Sequence, residues 1–324
     1  MENHKPDIFF DHNLSLDAVK ACEMAAIAAY KLVGAGDEKA ADKLAVDAMR
    51  QALNNIDMQG VVVIGEGERD QAPMLYIGEK VGTGKGKEID IALDPLEGTT
   101  ILATGGQNSL AVLAMAEKGS LLQAPDVYMD KIAIGLNFPE QIIDLDNSPK
   151  ANLQNIAKAK KCDVSDLVAV ILKRARHEEL IAKVREAGAR VYLIQDGDIA
   201  GVVATSMPVT GIDVYMGIGG APEGVLAAAA LCTLGGQMCG KLLFDKDAQK
   251  TRARTMGIDD FSKQYRLHDL AKGEVIFAAT GVTTGSMVGG VRMLPEGAIT
   301  HSILMHSATK TIRKIETYHS PSSF

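Results

Sequence analysis

Ile89-Asp-Ile-Ala-Leu-Asp-Pro-Leu-Glu-Gly-Thr-Thr100 is the stretch from which we interpret the rest of the chain. Apolar residues alternate with other residues from Ile89 to Leu93, which is the two-residue period of a β-strand. Because Pro95 has no N–H to donate, we expect the strand to end at Asp94. The stretch therefore predicts a strand that leads into a tight turn.

Two carboxylates flank this turn. Glu97 follows three residues after Asp94, so one turn can direct both side chains to the same point. Gly98 allows the backbone to approach a ligand and exposes the amides of Thr99 and Thr100. Hard oxygen ligands next to N–H groups suit a divalent cation that holds a phosphate. A strand-ending turn with a solvated acid pair is the alternative.

Composition limits the classes of function. With 324 residues, 47% of them hydrophobic and 23% charged, the chain is long enough for two lobes or one large α/β unit. A net charge of −7 gives no general attraction for nucleic acid or anionic membranes, and we predict neither as a partner. The polar N-terminus lacks a signal-peptide pattern, and the apolar segment 225–234 is too short to span a bilayer.

The cysteines and histidines show no zinc or redox motif. Four cysteines occur without a CxxC pair, and none forms a ligand-like pair with any of the seven histidines. We therefore expect free thiols and a cytoplasmic protein.

The first half of the chain carries further acidic candidates. Ser15 is a plausible N-cap for a helix over 16–33, and a second helix is predicted over 38–55. Asp42 lies on the second helix and, taken alone, is typical of a solvated helix acid. A buried strand over 60–65 leads into a glycine-hinged loop that carries Glu66, Glu68 and Asp70. Like charges this close repel, so the loop indicates either a bound cation or a spread, solvated conformation.

The second half alternates between strand and helix patterns, and Pro149 marks a break. We predict an extension over 1–14, a metal-binding lobe over 15–150 and a substrate-binding lobe over 151–324. Arg174-Ala-Arg176 lies between a strand and a helix, where the arginines are either solvated or a fork for a second phosphate. The Asp196-Gly-Asp198 pair at a strand exit is able to take sugar hydroxyls.

Gly217-Ile-Gly-Gly-Ala-Pro-Glu-Gly224 precedes a helix, and Pro222 suits its first position. Glu223 is then either a helix-start acid or a carboxylate that the second lobe contributes to a metal in a shared cleft. In open α/β sheets, ligands bind at the carboxyl ends of strands, so the distant acids can converge there. Carboxylates without histidine or cysteine favour Mg²⁺ or Mn²⁺, and such ions serve phosphoryl transfer. Water is the acceptor, because Gly235–Lys241 lacks the Ser or Thr of a nucleotide loop.

Several motifs together resemble class II fructose-1,6-bisphosphatases of the GlpX type, within the lithium-sensitive sugar phosphatases. They are Ile64-Gly-Glu-Gly-Glu68, Ala72–Glu79, Asp94-Pro-Leu-Glu-Gly-Thr99, Ala124-Pro-Asp-Val-Tyr128, Arg176-His177, Asp196-Gly-Asp198 and Gly217–Gly224. The resemblance implies a layered α-β-α-β-α sugar-phosphatase fold. It also implies hydrolysis of the 1-phosphate of fructose 1,6-bisphosphate in gluconeogenesis, with two or more Mn²⁺ or Mg²⁺ ions, by a homo-oligomer (a dimer or tetramer).

The resemblance also implies individual roles. One metal ion has ligands that match Asp42 and Glu66, and the other has ligands that match Asp94, Glu97 and Glu223. Thr99 matches the catalytic threonine, and Asp70 or Glu68 is a candidate proton relay. The substrate contacts match Glu97, Gly98, Thr99, Thr100, Tyr128, Arg174, Ala175, Arg176, Asp196, Gly197, Asp198 and Gly220.

Alternatives remain at this point. A bifunctional enzyme would also cleave sedoheptulose 1,7-bisphosphate, with the extra carbon accommodated near the arginines. An inositol or nucleotide monophosphatase would not need those arginines, and a metal-stabilised regulatory module would bind phosphate without releasing it from an ester.

Overall fold

The structure is a computed structural model that describes residues 8–67 and 74–324. Its strands are β1 (Met58–Ile64), β2 (Lys80–Val81), β3 (Lys87–Glu97), β4 (Leu110–Glu117), β5 (Tyr128–Ile134), β6 (Val168–Leu172), β7 (Arg190–Ile194), β8 (Val214–Gly220), β9 (Gln237–Leu243), β10 (Gln264–Arg266), β11 (Val275–Gly281), β12 (Arg292–Leu294), β13 (Gly297–His306) and β14 (Thr311–His319). Its α-helices are α1 (His12–Tyr30), α2 (Glu38–Leu53), α3 (Thr99–Ala103), α4 (Pro149–Lys160), α5 (Glu178–Glu186), α6 (Asp198–Ala204), α7 (Ala221–Leu234), α8 (Asp247–Thr255) and α9 (Leu267–Leu270).

The chain divides into two compact units. The first combines Met1–Leu121 with Lys272–Phe324, and the second is Leu122–Ala271. Strand pairing explains the discontinuous first unit, because β11 returns to pair with β4 and with β13. Residue 150, where the sequence suggested a lobe boundary, lies at the start of α4 inside the second unit.

The sheet of the first unit has the order β12-β13-β11-β4-β3-β1-β2, and β14 also pairs with β13. β1 and β3 are parallel, so their carboxyl ends lie at the same edge. Helices α1 and α2 bury their apolar faces in one core with β1, β3, β4 and β11. Helix α1 begins earlier than predicted, because the side chain of Asp11, and not that of Ser15, caps it by accepting the Leu14 N–H.

β3 continues past the predicted end at Asp94. The strand runs to Glu97, and its register against β4 shifts between Asp94 and Glu97. This irregularity accommodates Pro95, which has no ladder hydrogen bond to donate. The expectation that Pro95 stops the strand is therefore wrong, and both acids belong to the end of β3.

The second unit has a sheet of order β10-β9-β5-β8-β6-β7, in which β6 is parallel to β7 and β8. Ile132 and Ile134 of β5 pack with α4 and α5 on one face. Met129, which points to the opposite face, lies against Gly224 of α7. The predicted α/β class is confirmed, since each unit packs helices against a mixed sheet.

Thr311–His319, near the end of the chain, form β14, which pairs with β13 along its whole length. Along the parts of the chain that the structure describes, none of the helices combines the length and apolar character that crossing a bilayer requires.

Candidate active site

The end of β3 presents two acids in the first unit. Glu97 is 4% exposed, and Asp94 is half-buried. The backbone carbonyl of Glu97 accepts a hydrogen bond of 2.9 Å from the Ser109 hydroxyl, and the Leu96 N–H donates to Asp94 Oδ1 at 3.0 Å. Ser109 therefore holds the end of β3, and a buried carboxylate such as Glu97 interacts strongly with any nearby cation.

Gly98 connects β3 to α3 in a left-handed conformation, with φ 80° and ψ 50°. A residue with a side chain adopts this conformation at a cost of about 1–2 kcal/mol, which explains glycine here. Thr99 starts α3, so its N–H and that of Thr100 have no acceptor one turn earlier in the helix. Thr99 is half-buried and Thr100 is exposed. The N–H and hydroxyl groups of these two threonines follow Glu97 after one glycine, so they lie close to its carboxylate along the chain.

Glu66 and Asp42 belong to the same unit. Glu66 follows β1, and since Ile64 pairs with Ala92 of the parallel β3, Glu66 lies at the edge where β3 ends. The Glu66 N–H donates to the Leu75 carbonyl at 3.0 Å, which holds this segment in place. Asp42 is half-buried on α2, and burial raises the pKa of its carboxyl.

The two candidate relay acids, Glu68 and Asp70, lie outside the described residues. Among the described residues of the same unit, Arg50 Nε on α2 donates to Glu79 Oε1 at 2.6 Å. Glu79 is buried and its backbone carbonyl accepts the Val62 N–H of β1. This pair ties α2, which carries Asp42, to the segment that returns to β1.

In the second unit, one edge of the sheet collects the candidates. The antiparallel pairing of β5 and β8 places Tyr128 opposite Gly220, and β6 and β7 end at the same edge because they run parallel to β8. Ligands of open α/β sheets bind at such carboxyl ends. The predicted residues at this edge are Tyr128, Arg174, Ala175, Arg176, Asp196, Gly197, Asp198, Gly220 and Glu223.

Arg176 is held above an exposed ring. Its Nε and Nη2 donate to the Ile218 carbonyl at 3.0 and 2.9 Å, and its guanidinium carbon lies 4.8 Å from the centre of the Tyr128 ring. Arg174 Nη2 is 3.5 Å from Asp196 Oδ1. Both arginines follow the end of β6 and are oriented by contacts with the ends of the neighbouring strands β7 and β8, and each retains further N–H donors.

His177 supports this arrangement and had no assigned role in the sequence interpretation. Its Nδ1 contacts the Leu172 carbonyl at 2.7 Å, and its Nε2 accepts the Ile218 N–H at 2.8 Å. The carbonyl can only accept, so Nδ1 carries the proton and the ring is neutral. His177 thereby joins the end of β6 to the end of β8, a contact that no local pattern indicates.

Lys131 is the second residue that the sequence interpretation missed. Its side chain is 0% exposed, and Nζ lies 2.5 Å from Asp198 Oδ2 and 3.0 Å from the Gly220 carbonyl oxygen. Glu223 is half-buried nearby; burial raises the pKa of its carboxyl, Lys131 lowers it and Asp198 raises it further. A lysine at an inward position of a strand was the only sequence signal for this cluster.

The donor set bears on the metal that the resemblance implies. Within residues 8–67 and 74–324, no three His, Cys, Asp or Glu side chains form a group that could hold a metal ion. The predicted ligands are divided, with Asp42, Glu66, Asp94 and Glu97 in the first unit and Glu223 in the second. All are carboxylates, and one of them is buried, which fits a hard divalent cation in donor chemistry.

Comparisons with known proteins identify a family for nearly the whole chain. A family model described as bacterial fructose-1,6-bisphosphatase, glpX-encoded, matches residues 12–319. A relative from Synechococcus sp. (strain JA-3-3Ab) is 46% identical, and relatives from Trichodesmium erythraeum and Acaryochloris marina are each 44% identical. Each alignment covers 95% of this chain and 96% of the relative. All three relatives carry the name D-fructose 1,6-bisphosphatase class 2/sedoheptulose 1,7-bisphosphatase.

Proposed function

The chain belongs to the family of glpX-encoded bacterial fructose-1,6-bisphosphatases, and on that premise we propose that it hydrolyses the 1-phosphate of fructose 1,6-bisphosphate. The products are fructose 6-phosphate and inorganic phosphate. The match over residues 12–319 carries this proposal. The collection of polar residues at strand ends in both units supports it, because that is where α/β sheets bind ligands.

Catalysis in this family depends on metal ions, and we propose Mg²⁺ or Mn²⁺. Asp42 and Glu66 would hold one ion, and Asp94, Glu97 and Glu223 would hold another. Bound ions supply neutralisation of phosphate charge and a lower pKa for attacking water. The protein itself contributes a set of carboxylates at the ends of rigid elements. At the end of β3, the hydrogen bond from Ser109 to the Glu97 carbonyl limits the movement of the strand and so of its carboxylates.

Thr99 is the proposed catalytic residue. Its Oγ1 orients the attacking water, or takes the proton of that water while giving its own hydroxyl proton to the relay carboxylate, and the amides of Thr99 and Thr100 donate to the phosphate that is transferred. The left-handed Gly98 makes this presentation possible. Asp70 or Glu68 is proposed to pass the proton to solvent.

The second unit is proposed to recognise the rest of the substrate. Arg176 uses two donors on Ile218, so its remaining N–H groups are available to a second phosphate, together with those of Arg174. The Tyr128 hydroxyl and the Ala175 backbone line the same position. Asp196, Gly197 and Asp198 face sugar hydroxyls in this proposal. Binding energy from the remote phosphate then supports the reaction at the 1-phosphate.

Phosphate release is the direct test. Purified protein is incubated with fructose 1,6-bisphosphate, fructose 1-phosphate and inositol 1-phosphate, with Mg²⁺ and Mn²⁺ in turn. We expect the highest kcat/KM for the bisphosphate and no turnover with EDTA. Binding of bisphosphate without phosphate release would instead support a regulatory module, and preference for inositol phosphate would support a monophosphatase.

A second substrate is favoured by one observation. The relatives at 44–46% identity carry a sedoheptulose 1,7-bisphosphatase name as well. We propose that the arginine end of the second unit also accepts the seven-carbon bisphosphate. The test is to measure kcat/KM for both bisphosphates in the same assay. A kcat/KM more than about a thousandfold higher for fructose 1,6-bisphosphate than for sedoheptulose 1,7-bisphosphate would reject the bifunctional assignment.

We propose further that the protein acts in the cytoplasm, in gluconeogenesis, as a homodimer or homotetramer. The absence of nucleic-acid or membrane signatures in the acidic composition supports a small-molecule partner. Light scattering coupled to size exclusion measures the oligomer, and a monomer at micromolar concentration would contradict this part.

A further inference from the structure

A buried charged cluster lies beneath the substrate edge of the second unit. Lys131 of β5 extends to the start of α6, where Nζ meets Asp198 Oδ2 at 2.5 Å, and to the end of β8, where it meets the Gly220 carbonyl at 3.0 Å. The Lys131 and Asp198 side chains are 0% and 6% exposed. A buried carboxylate needs a partner, and Lys131 supplies it.

The glycines of the 217–224 motif make room for this cluster. A Cβ on Gly219 would lie 1.8 Å from Asp198 Oδ2 and 3.0 Å from Lys131 Nζ. A Cβ on Gly220 would lie 1.9 Å from Glu223 Oε2. These glycines therefore serve the packing of charged side chains, in addition to any contact with substrate.

Only one oxygen of Asp198 is engaged. Oδ2 is bound by Lys131, whereas Oδ1 is buried and has no hydrogen-bond partner among the residues that the structure describes. The Tyr215 hydroxyl is likewise buried beside this carboxylate: burial, and then the interaction with Asp198, raise the pKa of Tyr215 well above its ordinary value, although the distance and angle to Oδ1 do not meet those of a hydrogen bond. Oδ1 of Asp198 can therefore still accept a hydrogen bond. It belongs to a residue at the strand-end edge of the sheet, which is where α/β proteins bind ligands.

We propose that Lys131 is a positioning residue that holds Asp198 Oδ2, so that Oδ1 accepts a hydrogen bond from a hydroxyl of the sugar bisphosphate. This inference rests on the proposed substrate contact of Asp198. Lys131 itself does not touch substrate. Its effect is therefore exerted on substrate binding more than on the chemical step, and it depends on the Asp198 side chain.

The first test is Lys131→Met, with KM and kcat measured separately for fructose 1,6-bisphosphate. We expect KM to rise about tenfold or more, which is the loss of one hydrogen bond to a charged group, while kcat changes less. Lys160→Met is the matched control, because Lys160 also pairs with an aspartate, Asp213. Lys160 lies before β6 and Asp213 lies before β8, so the pair is at the starts of these strands, away from the strand ends that carry the site. The control should keep the wild-type KM.

The second test leaves Lys131 in place and moves its partner. Gly219→Ala should displace the Asp198 carboxylate from Lys131 and raise KM about tenfold, but in an Asp198→Ala background the same change should alter KM less than twofold. If Lys131→Met does not fold, this pair still tests whether KM depends on the position in which the Asp198 carboxylate is held.

The outcomes separate the two levels of the argument. If Asp198→Ala alone leaves KM unchanged, the proposed substrate contact is wrong. If Asp198→Ala raises KM but folded Lys131→Met stays within twofold of wild type, the positioning role of Lys131 is overturned. A Gly219→Ala effect that persists without the Asp198 side chain also overturns it.

Discussion

Glu97→Gln tests the central assumption that a buried carboxylate at the end of β3 supports catalysis. The substitution keeps the shape of the side chain and leaves the hydrogen bond from Ser109 to the backbone carbonyl of residue 97 intact. Glu97 is 4% exposed, so its charge acts through a medium of low dielectric and is screened little by water. Removing one preorganised hydrogen-bond donor from an oxyanion hole typically lowers kcat by about 10²–10³-fold, or about 2.7–4 kcal/mol, and we expect a loss of at least that size here.

Stability gives a second, independent measurement. Without metal, neutralising a buried carboxylate should leave the melting temperature equal or higher, because no charge then needs to be buried. With Mn²⁺ at about one hundred times its Kd, the wild type should gain about 2.7 kcal/mol, or roughly 4 °C for a chain of 324 residues. The variant should gain less than half of that shift in the same scan.

The matched control is Glu88→Gln on the same strand. The Glu88 side chain is 58% exposed and pairs with Lys118 at 2.7 Å, a surface contact that contributes little. Its kcat and Mn²⁺-dependent shift should equal those of the wild type. A Glu97→Gln enzyme with kcat within tenfold of wild type, or with the full Mn²⁺ shift, would refute the metal-ligand assignment.

Three further predictions follow from the described contacts. Gly98→Ala and Gly105→Ala both place a side chain on a left-handed residue, with φ of 80° and 70°, so the free energy of unfolding in urea should fall by about 1–2 kcal/mol in each. Only Gly98→Ala should also lower kcat. An equal loss of kcat in both variants would mean that Gly98 serves folding alone. Arg176→Ala should lower kcat/KM for fructose 1,6-bisphosphate by about tenfold or more, yet change kcat/KM for fructose 1-phosphate by less than about threefold. Equal losses of kcat/KM for the two substrates would contradict a contact between Arg176 and the second phosphate. Burial raises the pKa of the Cys232 thiol to about 12 from an ordinary value of 9, so its thiolate fraction at pH 8 is about a thousandfold lower than that of an ordinary cysteine. A disulfide reagent should therefore label half-exposed Cys162 first, and Cys232 only as the pH rises toward 12 or after unfolding. Peptide mapping of the labelled protein measures this order.

Local patterns predicted many elements closely. The helix expected over 38–55 begins at Glu38 and ends two residues before the prediction, and the strand expected over 60–65 is found within β1 (Met58–Ile64) to one residue at its end. Both contain a clear apolar pattern and end at conformational breaks, so the information lies within the segment itself. No strand was predicted for β14, whose side chains alternate between intermediate and exposed positions and whose strand conformation depends on pairing with β13.

The sequence by itself determined the family, the α/β class and the acids and arginines that carry the candidate chemistry, because residue type and spacing along the chain contain that information. Tertiary structure alone revealed the continuation of β3 through Pro95, the neutral His177 between two strand ends, and the buried Lys131. Each of these depends on partners from separate elements. A charge or a proline is accommodated by the groups that surround it in space, and those groups come together only when the sheets form.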